Sequence, residues 1–484
     1  MTKNNFSILH ISDLHKRNED NYDNLLSSLV EDCKEYIDKG ITKPEIIVVS
    51  GDIIRGGTND EILEQYKQSE QFLNGLTNFF LGGDKKRIII VPGNHDINWN
   101  ISKLSMQKDI LENNAQNTVN YFLENKTIRW SWDELCFYKI SDKILYQERL
   151  KAFMHFYNSF YEGIYSYNID PDEQFQIFDI KELNIAFIAF NSCFNNDHLN
   201  RSGYINPTCI TRVSQDIDKL YRRGRILVSV WHHNIDGLPH ENNYLDRRIL
   251  NVLIEKHIQI GLFGHLHKCN IINEFKNFFE EKKMILFCAG TLYGNNESLA
   301  EGTKRQYNIL KLSQNDGKLD ITLYSREDKS YKSFEIPSWG EGRIGDSSSP
   351  VWNIQLQITP PPSINSQIDY IMQETEKRKD IIWGINNLIK LDMSNIRIRT
   401  IVLDYMERIN AYDAIYNNFC DPINNREAIS IIDSVINLND KDKILKVINI
   451  PFIVDNHDSA VREIYSKLKL IAMEKGYGTN KTSS

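Results

Sequence analysis

The chain has little cysteine, no long apolar run and no excess of positive charge. Its seven cysteines are odd in number and show no CxxC spacing. That argues against a disulfide framework or a zinc knuckle and suits a reducing cytoplasm. No apolar stretch approaches the roughly 20 residues that a membrane-spanning helix needs; Ile88–Val91 and Ile185–Phe190 are strand-length. The first six residues lack the apolar core of a signal peptide, so the expected location is cytoplasmic, with no membrane partner. The formal net charge is −8, whereas a protein that binds nucleic acid through its bulk field is basic. Local basic clusters stand at Lys85–Arg87, at Arg222, Arg223 and Arg225, at Arg247 and Arg248, and at Lys282 and Lys283. They read as solvated faces or helix ends, with a share in an anionic substrate's path as the alternative.

What is present is the composition of a globular protein, 41% hydrophobic and 25% charged. A length of 484 residues exceeds one ordinary core and predicts two domains. Short β-branched runs at 6–11, 45–50 and 87–91 read as strands, separated by helical patterns at about 22–39 and from Asn59 or Asp60 to Gly82. Strand–helix alternation at this spacing predicts βαβ units and a largely parallel sheet. From about Asn98 to Pro171 the rhythm breaks into an aromatic segment that reads as a helical insertion, placed where it could roof a site. Strands resume from Phe175 to about Ser325. Residues 337–362, rich in Gly, Ser and Pro, read as a linker, although Val351–Ile358 alternates as a strand would. The domains expected are therefore 1–336, with the insertion at about 98–171, and a helical accessory domain at 363–484. No catalytic motif stands in that last part, and its His457 is isolated.

The chemistry lies in five short motifs, each after an apolar run: Asp13-Leu14-His15, Gly51-Asp52, Gly93-Asn94-His95-Asp96, Trp231-His232-His233-Asn234 and Gly264-His265-Leu266-His267. Six of the 12 histidines fall in them. Carboxylate, carboxamide and imidazole groups bind divalent first-row metals. Asp13, His15, Asp52, Asn94, His232, His265 and His267 make seven donors, enough for two ions sharing Asp52 with positions left for water or substrate. Two cations roughly 3.5–4 Å apart neutralise a phosphate ester and activate a water for in-line attack. The leaving oxygen then needs a proton, which His95 can supply, with Asp96 positioned to hold its imidazole. Any one motif alone has an ordinary structural explanation; five in order, each at a strand end, do not.

In their order, these motifs resemble the calcineurin-like metallophosphoesterase superfamily over about residues 6–325. The resemblance implies an α/β fold, a two-sheet αββα sandwich with the helical insertion, followed by the mainly α-helical C-terminal domain. It implies one metal held by Asp13, His15, Asp52 and His267, and a second by Asp52, Asn94, His232 and His265. Manganese is the foremost ion it suggests, with iron and zinc as the others. His232 and His233 compete for one place, and the family pattern selects His232, leaving His233 behind it or on the substrate.

The chain departs from the Ser/Thr protein phosphatases of that superfamily, with Gly51-Asp52-Ile-Ile-Arg55 and Gly93-Asn-His-Asp96 in place of their motifs. Arg55 either contacts phosphate or braces its loop. The segments at 13–15 and 232–234 look more like the nuclease and cyclic-nucleotide phosphodiesterase branches. The expected activity is a metal-dependent phosphodiesterase on a nucleotide or nucleic acid. A phosphomonoesterase on a small metabolite is the alternative, as is a component whose helical tail recruits a protein partner.

Overall fold

Runs such as Ile46–Val49 and Ile185–Phe190 are buried along their whole length and accordingly read as continuous apolar stretches with no polar face, while Phe6–Ile11 is equally buried with Ser7 and His10 among its residues. The computed structural model describes residues 5–16, 22–109, 127–236, 243–276, 283–293, 299, 303–315, 317–330, 336–358 and 364–477. By internal contacts the chain forms two units, Met1–Pro361 and Pro362–Ser484.

In the first unit, strand Asn5–Ile11 pairs in parallel with Ile46–Val49, which pairs in parallel with Ile88–Ile90. On its other side it pairs antiparallel with Gln306–Asn315, and Lys318–Asp328 follows as a hairpin partner. Trp339–Glu341 and Val351–Gln357 both add to Lys318–Asp328, completing a sheet of seven strands. A second sheet of six strands runs Asn270–Lys276, Lys283–Cys288, Ile260–Phe263, Ile226–Val230, Ile185–Phe190, Phe175–Ile180. Its four central strands are parallel and its two edges antiparallel.

The two sheets share one core. Along the second sheet, side chains alternate: Ile185, Phe187, Val228, Leu262 and Ile285 join the core that also contains Ile8, Val48 and Ile89 of the first sheet. Ala186, Ile188, Leu227 and Leu286 face the other way, against Val213, Ile217, Leu250 and Leu253 of helices Pro207–Arg222 and Arg247–Glu255. The period of two along a strand makes this sandwich. Helices Tyr22–Asp38 and Asn59–Leu81 contribute Leu25, Leu29, Leu73 and Leu76 to the first core. The fold is the α/β sandwich that the motifs imply.

Two segments differ from expectation. The insertion after Asn98 is not wholly helical: strands Met106–Asp109, Ile128–Ser131 and Cys136–Ile140 form a separate antiparallel sheet of three. Trp130 and Phe137 are cross-strand partners there, with ring centroids 4.7 Å apart, so these aromatics pack across a hairpin. The following helix Lys151–Tyr161 does bury Phe153, Phe156, Tyr157, Phe160 and Tyr161, as its spacing predicts. The stretch expected as a linker contributes two strands, Trp339–Glu341 and Val351–Gln357, to the seven-stranded sheet. Within it Trp339 is buried beside Tyr307, its Nε1 donating to Ser28 Oγ at 2.9 Å, and Leu356 is in the core.

Below this sheet lies a fully buried ion pair, Asp32 with Arg326, joined by the Tyr307 hydroxyl. Removing one partner of a buried pair leaves the other charge unsatisfied, at a cost of about 3–5 kcal/mol. Arg326→Leu is therefore expected to lower the unfolding free energy of the chain by about that much. A denaturant midpoint indistinguishable from wild type would show the pair to be energetically neutral.

The second unit has its own core, with Ile368, Leu388, Val402, Phe419, Ile431, Val447 and Leu468 among the residues it buries. It is helical throughout the described residues, from Ile364–Arg378 to Ser459–Glu474. Arg399 grips Glu427 through two hydrogen bonds, at 2.9 and 2.7 Å, fastening helix Ile396–Arg408 to Asn425–Leu438.

Candidate metal centre

Each motif residue stands just past a buried strand, where the backbone leaves the ladder and turns. Asp13 N–H donates to Gly51 O and His15 N–H to Asp52 O, both at 3.0 Å, so the first two loops zip together. Thr291 Oγ1 donates to Asp13 O at 2.6 Å, and Leu292 N–H to Ser12 O at 3.0 Å, which ties in the loop beyond Lys283–Cys288. Asp13, His15, Asp52, His265 and His267 all hold left-handed backbone, with φ between 44° and 71°. Non-glycine residues in that region cost of order 1 kcal/mol or more each, and such outliers cluster at functional sites. The turns also need close approach. A Cβ on Gly93 would meet Asp52 Oδ1 at 2.1 Å, and one on Gly51 would meet the His232 ring at 2.6 Å.

These loops bring the seven expected donors to one place. Asp13, His15, Asp52 and His267 offer ligand atoms within 4.8 Å of one another. His267 Nε2 lies 3.2 Å from Asp13 Oδ1, and His15 Nε2 3.0 Å from His267 Nε2. Beside them, His232 Nε2 and His265 Nδ1 each lie 3.0 Å from Asn94 Oδ1 and 3.2 Å from each other. Asp52 Oδ2 faces both groups, 3.8 Å from His15 Nε2 and 3.3 Å from His232 Nε2.

The arrangement fits cations. His232 Nδ1 is 2.8 Å from Ser50 O, a contact that needs a proton on Nδ1. A neutral His232 then points a lone pair from Nε2 at the oxygens of Asn94 and Asp52, a clash that either a cation between them or a second proton on the ring relieves. Burial opposes a charged His232, but Asp52, Asp13 and the Ser50 carbonyl outweigh it and lift its pKa to about 9. Burial likewise opposes the Asp52 carboxylate, yet His232, His95 and His15 hold it far below the usual range. Asp13 is held low too, against its burial, by His267, His15 and His232. Among these histidines His265 goes the other way, pushed down to about 3 by burial and then by His232. A neutral imidazole has a lone pair to offer.

The remaining expected residues have more particular places. His95 borders the centre, its ring centroid 4.7 Å from that of His15. Its backbone N–H donates to Asp52 Oδ1 at 2.8 Å, and its Nδ1 lies 3.0 Å from Arg55 O. The expectation that Asp96 orients the His95 imidazole is thus corrected, because a backbone carbonyl does so. Asp96 instead turns inward: Oδ2 accepts from Gly93 N–H at 2.7 Å and Ile53 N–H at 3.3 Å, and Oδ1 from the Tyr66 hydroxyl at 3.0 Å. Burial and then the Asp52 charge raise it to about 7. It clamps the Gly93 turn that carries Asn94. Arg55 enters the site through its main chain, its N–H bonding Lys16 O and Gln65 Oε1, both at 3.1 Å. His233 is fully buried, its Nδ1 2.9 Å from Ser192 Oγ and its ring centroid 4.9 Å from that of His265. It is placed behind the donors, and His232 is the one among them.

Residue patterns do not single out Ser50, Ser192, Tyr66 or Thr291, which brace these groups. Thr291 carried a signal all the same: an apolar strand, then Gly290, is the pattern that marks Asp52 and His265.

Comparison with known proteins places these motifs. The family model for the calcineurin-like phosphoesterase matches residues 6–269, more than half of the chain. No curated protein matches. Solved structures similar to it include vacuolar protein sorting 29 of Cryptosporidium parvum, at 11% identity and a TM-score of 0.28, covering 73% of this chain and 100% of that one. The Chaetomium thermophilum Vps29 structure is similar at 8% identity and a TM-score of 0.27, covering 75% of this chain and 100% of that one. With its strand-end motifs gathered in one place and its sequence matched across them, the chain belongs to the calcineurin-like phosphoesterase family.

Proposed function

We propose that the chain is a metal-dependent phosphodiesterase acting on nucleotide or nucleic-acid substrates. Asp13, His15, Asp52 and His267 would hold one divalent ion, and Asp52, Asn94, His232 and His265 a second. The observation that carries this reading is Asp52 Oδ2, which faces both groups of imidazoles at once. Bound there, the ions supply charge neutralisation and an activated water. The protein supplies the rest. Asp96 holds the Gly93 turn, Ser50 O fixes the tautomer of His232, and Arg55 O directs the His95 ring for proton delivery to the leaving oxygen. Manganese is the ion proposed for both places, and a diester is preferred over a monoester because the motifs resemble the diesterase branches.

Removal of metal is the direct test. After exhaustive chelation, turnover of bis-p-nitrophenyl phosphate is expected to vanish, and added Mn²⁺ to restore it. Full turnover by protein that elemental analysis shows to be metal-free would end the proposal. Faster hydrolysis of p-nitrophenyl phosphate than of the diester would favour the monoesterase alternative.

A further inference from the structure

The insertion carries an aromatic surface that the proposed chemistry does not use. Trp99 starts the helix that follows the Asn94–Asp96 turn, and its ring centroid lies 6.1 Å from that of His95. Over its face sits Arg201, with the guanidinium carbon 5.1 Å from the ring centre. Arg201 is exposed and, among the described residues, has no carboxylate partner. The two residues preceding it, Leu199 and Asn200, line a cleft of about 560 Å³ together with Ile128, Arg129, Trp130, Trp132 and Phe137. Trp132 is 80% exposed, edge-on to Trp130 at 5.8 Å. The Trp130 Nε1 atom is buried with no hydrogen-bond partner among the described residues.

The surface is built rather than incidental. Arg129 donates to Asp197 Oδ2 at 2.7 Å, as does the Tyr146 hydroxyl at 2.9 Å, and Asp197 Oδ1 accepts from the backbone of Leu199 and Asn200. Arg149, also buried, donates to the carbonyls of Asn196, Tyr146 and Phe194. Two buried arginines therefore fix the loop from Phe194 to Arg201, and with it the backbone that carries the exposed guanidinium. A cation left unneutralised in a chain of net charge −8 is suited to an anion, and stacked or exposed tryptophans to flat rings.

Resting on the phosphodiesterase reading above, we propose that Trp99, Arg201 and the Trp130–Trp132–Phe137 cleft form a binding track for single-stranded nucleic acid leading away from the metal centre. Arg201, seated on Trp99, meets a backbone phosphate, and a base stacks at the exposed Trp132. An aromatic cleft additional to the metal centre calls for a polymer rather than a single nucleotide. Binding through stacking and one exposed cation also accounts for a nucleic-acid ligand on an acidic protein, since each aromatic contact is independent of bulk charge.

The test separates binding from hydrolysis by using the full chain in EDTA with a fluorescein-labelled oligodeoxythymidine. Wild type is expected to bind it, and Trp132→Ala, Trp99→Ala and Arg201→Ala each to weaken binding by roughly 5- to 150-fold, with Trp132→Phe recovering most of the loss. No binding by wild type, or equal binding by wild type and all three alanine variants, overturns the track. Turnover of bis-p-nitrophenyl phosphate with Mn²⁺ is read on the same wild-type protein. Diester turnover without oligonucleotide binding sinks the track alone, whereas binding without diester turnover sinks the phosphodiesterase reading and leaves the track standing.

Discussion

Asp52→Asn is expected to extinguish diester turnover. An amide keeps the shape of the side chain but removes the negative charge that faces both groups of donors and the His95 backbone. Loss of an outer-shell partner typically costs about 10–100-fold in metal affinity or activity, and a shared ligand should cost more. Two readouts are needed: metal content by elemental analysis, expected to fall, and kcat/KM on bis-p-nitrophenyl phosphate, expected to drop beyond about 100-fold. The backbone N–H of His95, which now donates to Asp52 Oδ1, can still meet the Asn carbonyl oxygen, so the fold should persist. A variant with wild-type turnover would show that the reaction does not run through this aspartate.

His95→Gln is expected to show a defect that depends on the leaving group. General acid assistance is worth about 10²–10⁴ in rate where the departing oxygen is a poor leaving group. Cleavage of a dinucleotide, which releases an alkoxide, should suffer that loss in kcat. p-Nitrophenolate departs without a proton, so bis-p-nitrophenyl phosphate should be affected far less. The substitution spares the main chain that bonds Asp52, and metal content should not change. Equal losses on both substrates would move His95 from proton donor to structural support.

The parts of this molecule readable from residue order are those where one physical demand is met locally. A buried parallel strand must be apolar throughout, and a ligand must leave its end by a tight turn, so Val48-Val49-Ser50-Gly51-Asp52 and Leu262-Phe263-Gly264-His265 announce themselves. The pairing of Asp52 with two groups of imidazoles is what the resemblance to the superfamily implies. The three-stranded sheet in the insertion was obscured because Trp130 and Phe137 sit on strands of four and five residues, too short to show a period of two against helical neighbours. The strand Val351–Gln357 was masked by flanking glycines and prolines, although its alternation was visible. Asp96 was misread for a different reason. Two of its three partners are the main-chain N–H groups of Gly93 and Ile53, which every residue type but proline carries, so nothing in the sequence marks them. The same holds for Arg55, which contributes a carbonyl to His95 where its guanidinium drew attention.

Five of the donor residues sit in left-handed backbone on loops that are cross-bonded to one another and anchored to the edges of two packed sheets. A frame of that kind has little freedom to breathe around a guest. Ions that differ in radius or preferred coordination then find the same fixed set of distances, and geometry rather than intrinsic affinity ranks them. A conservative change deep between the sheets, at Val230 or Leu262 for example, would shift those strand ends and alter which element the protein retains, with every donor still in place.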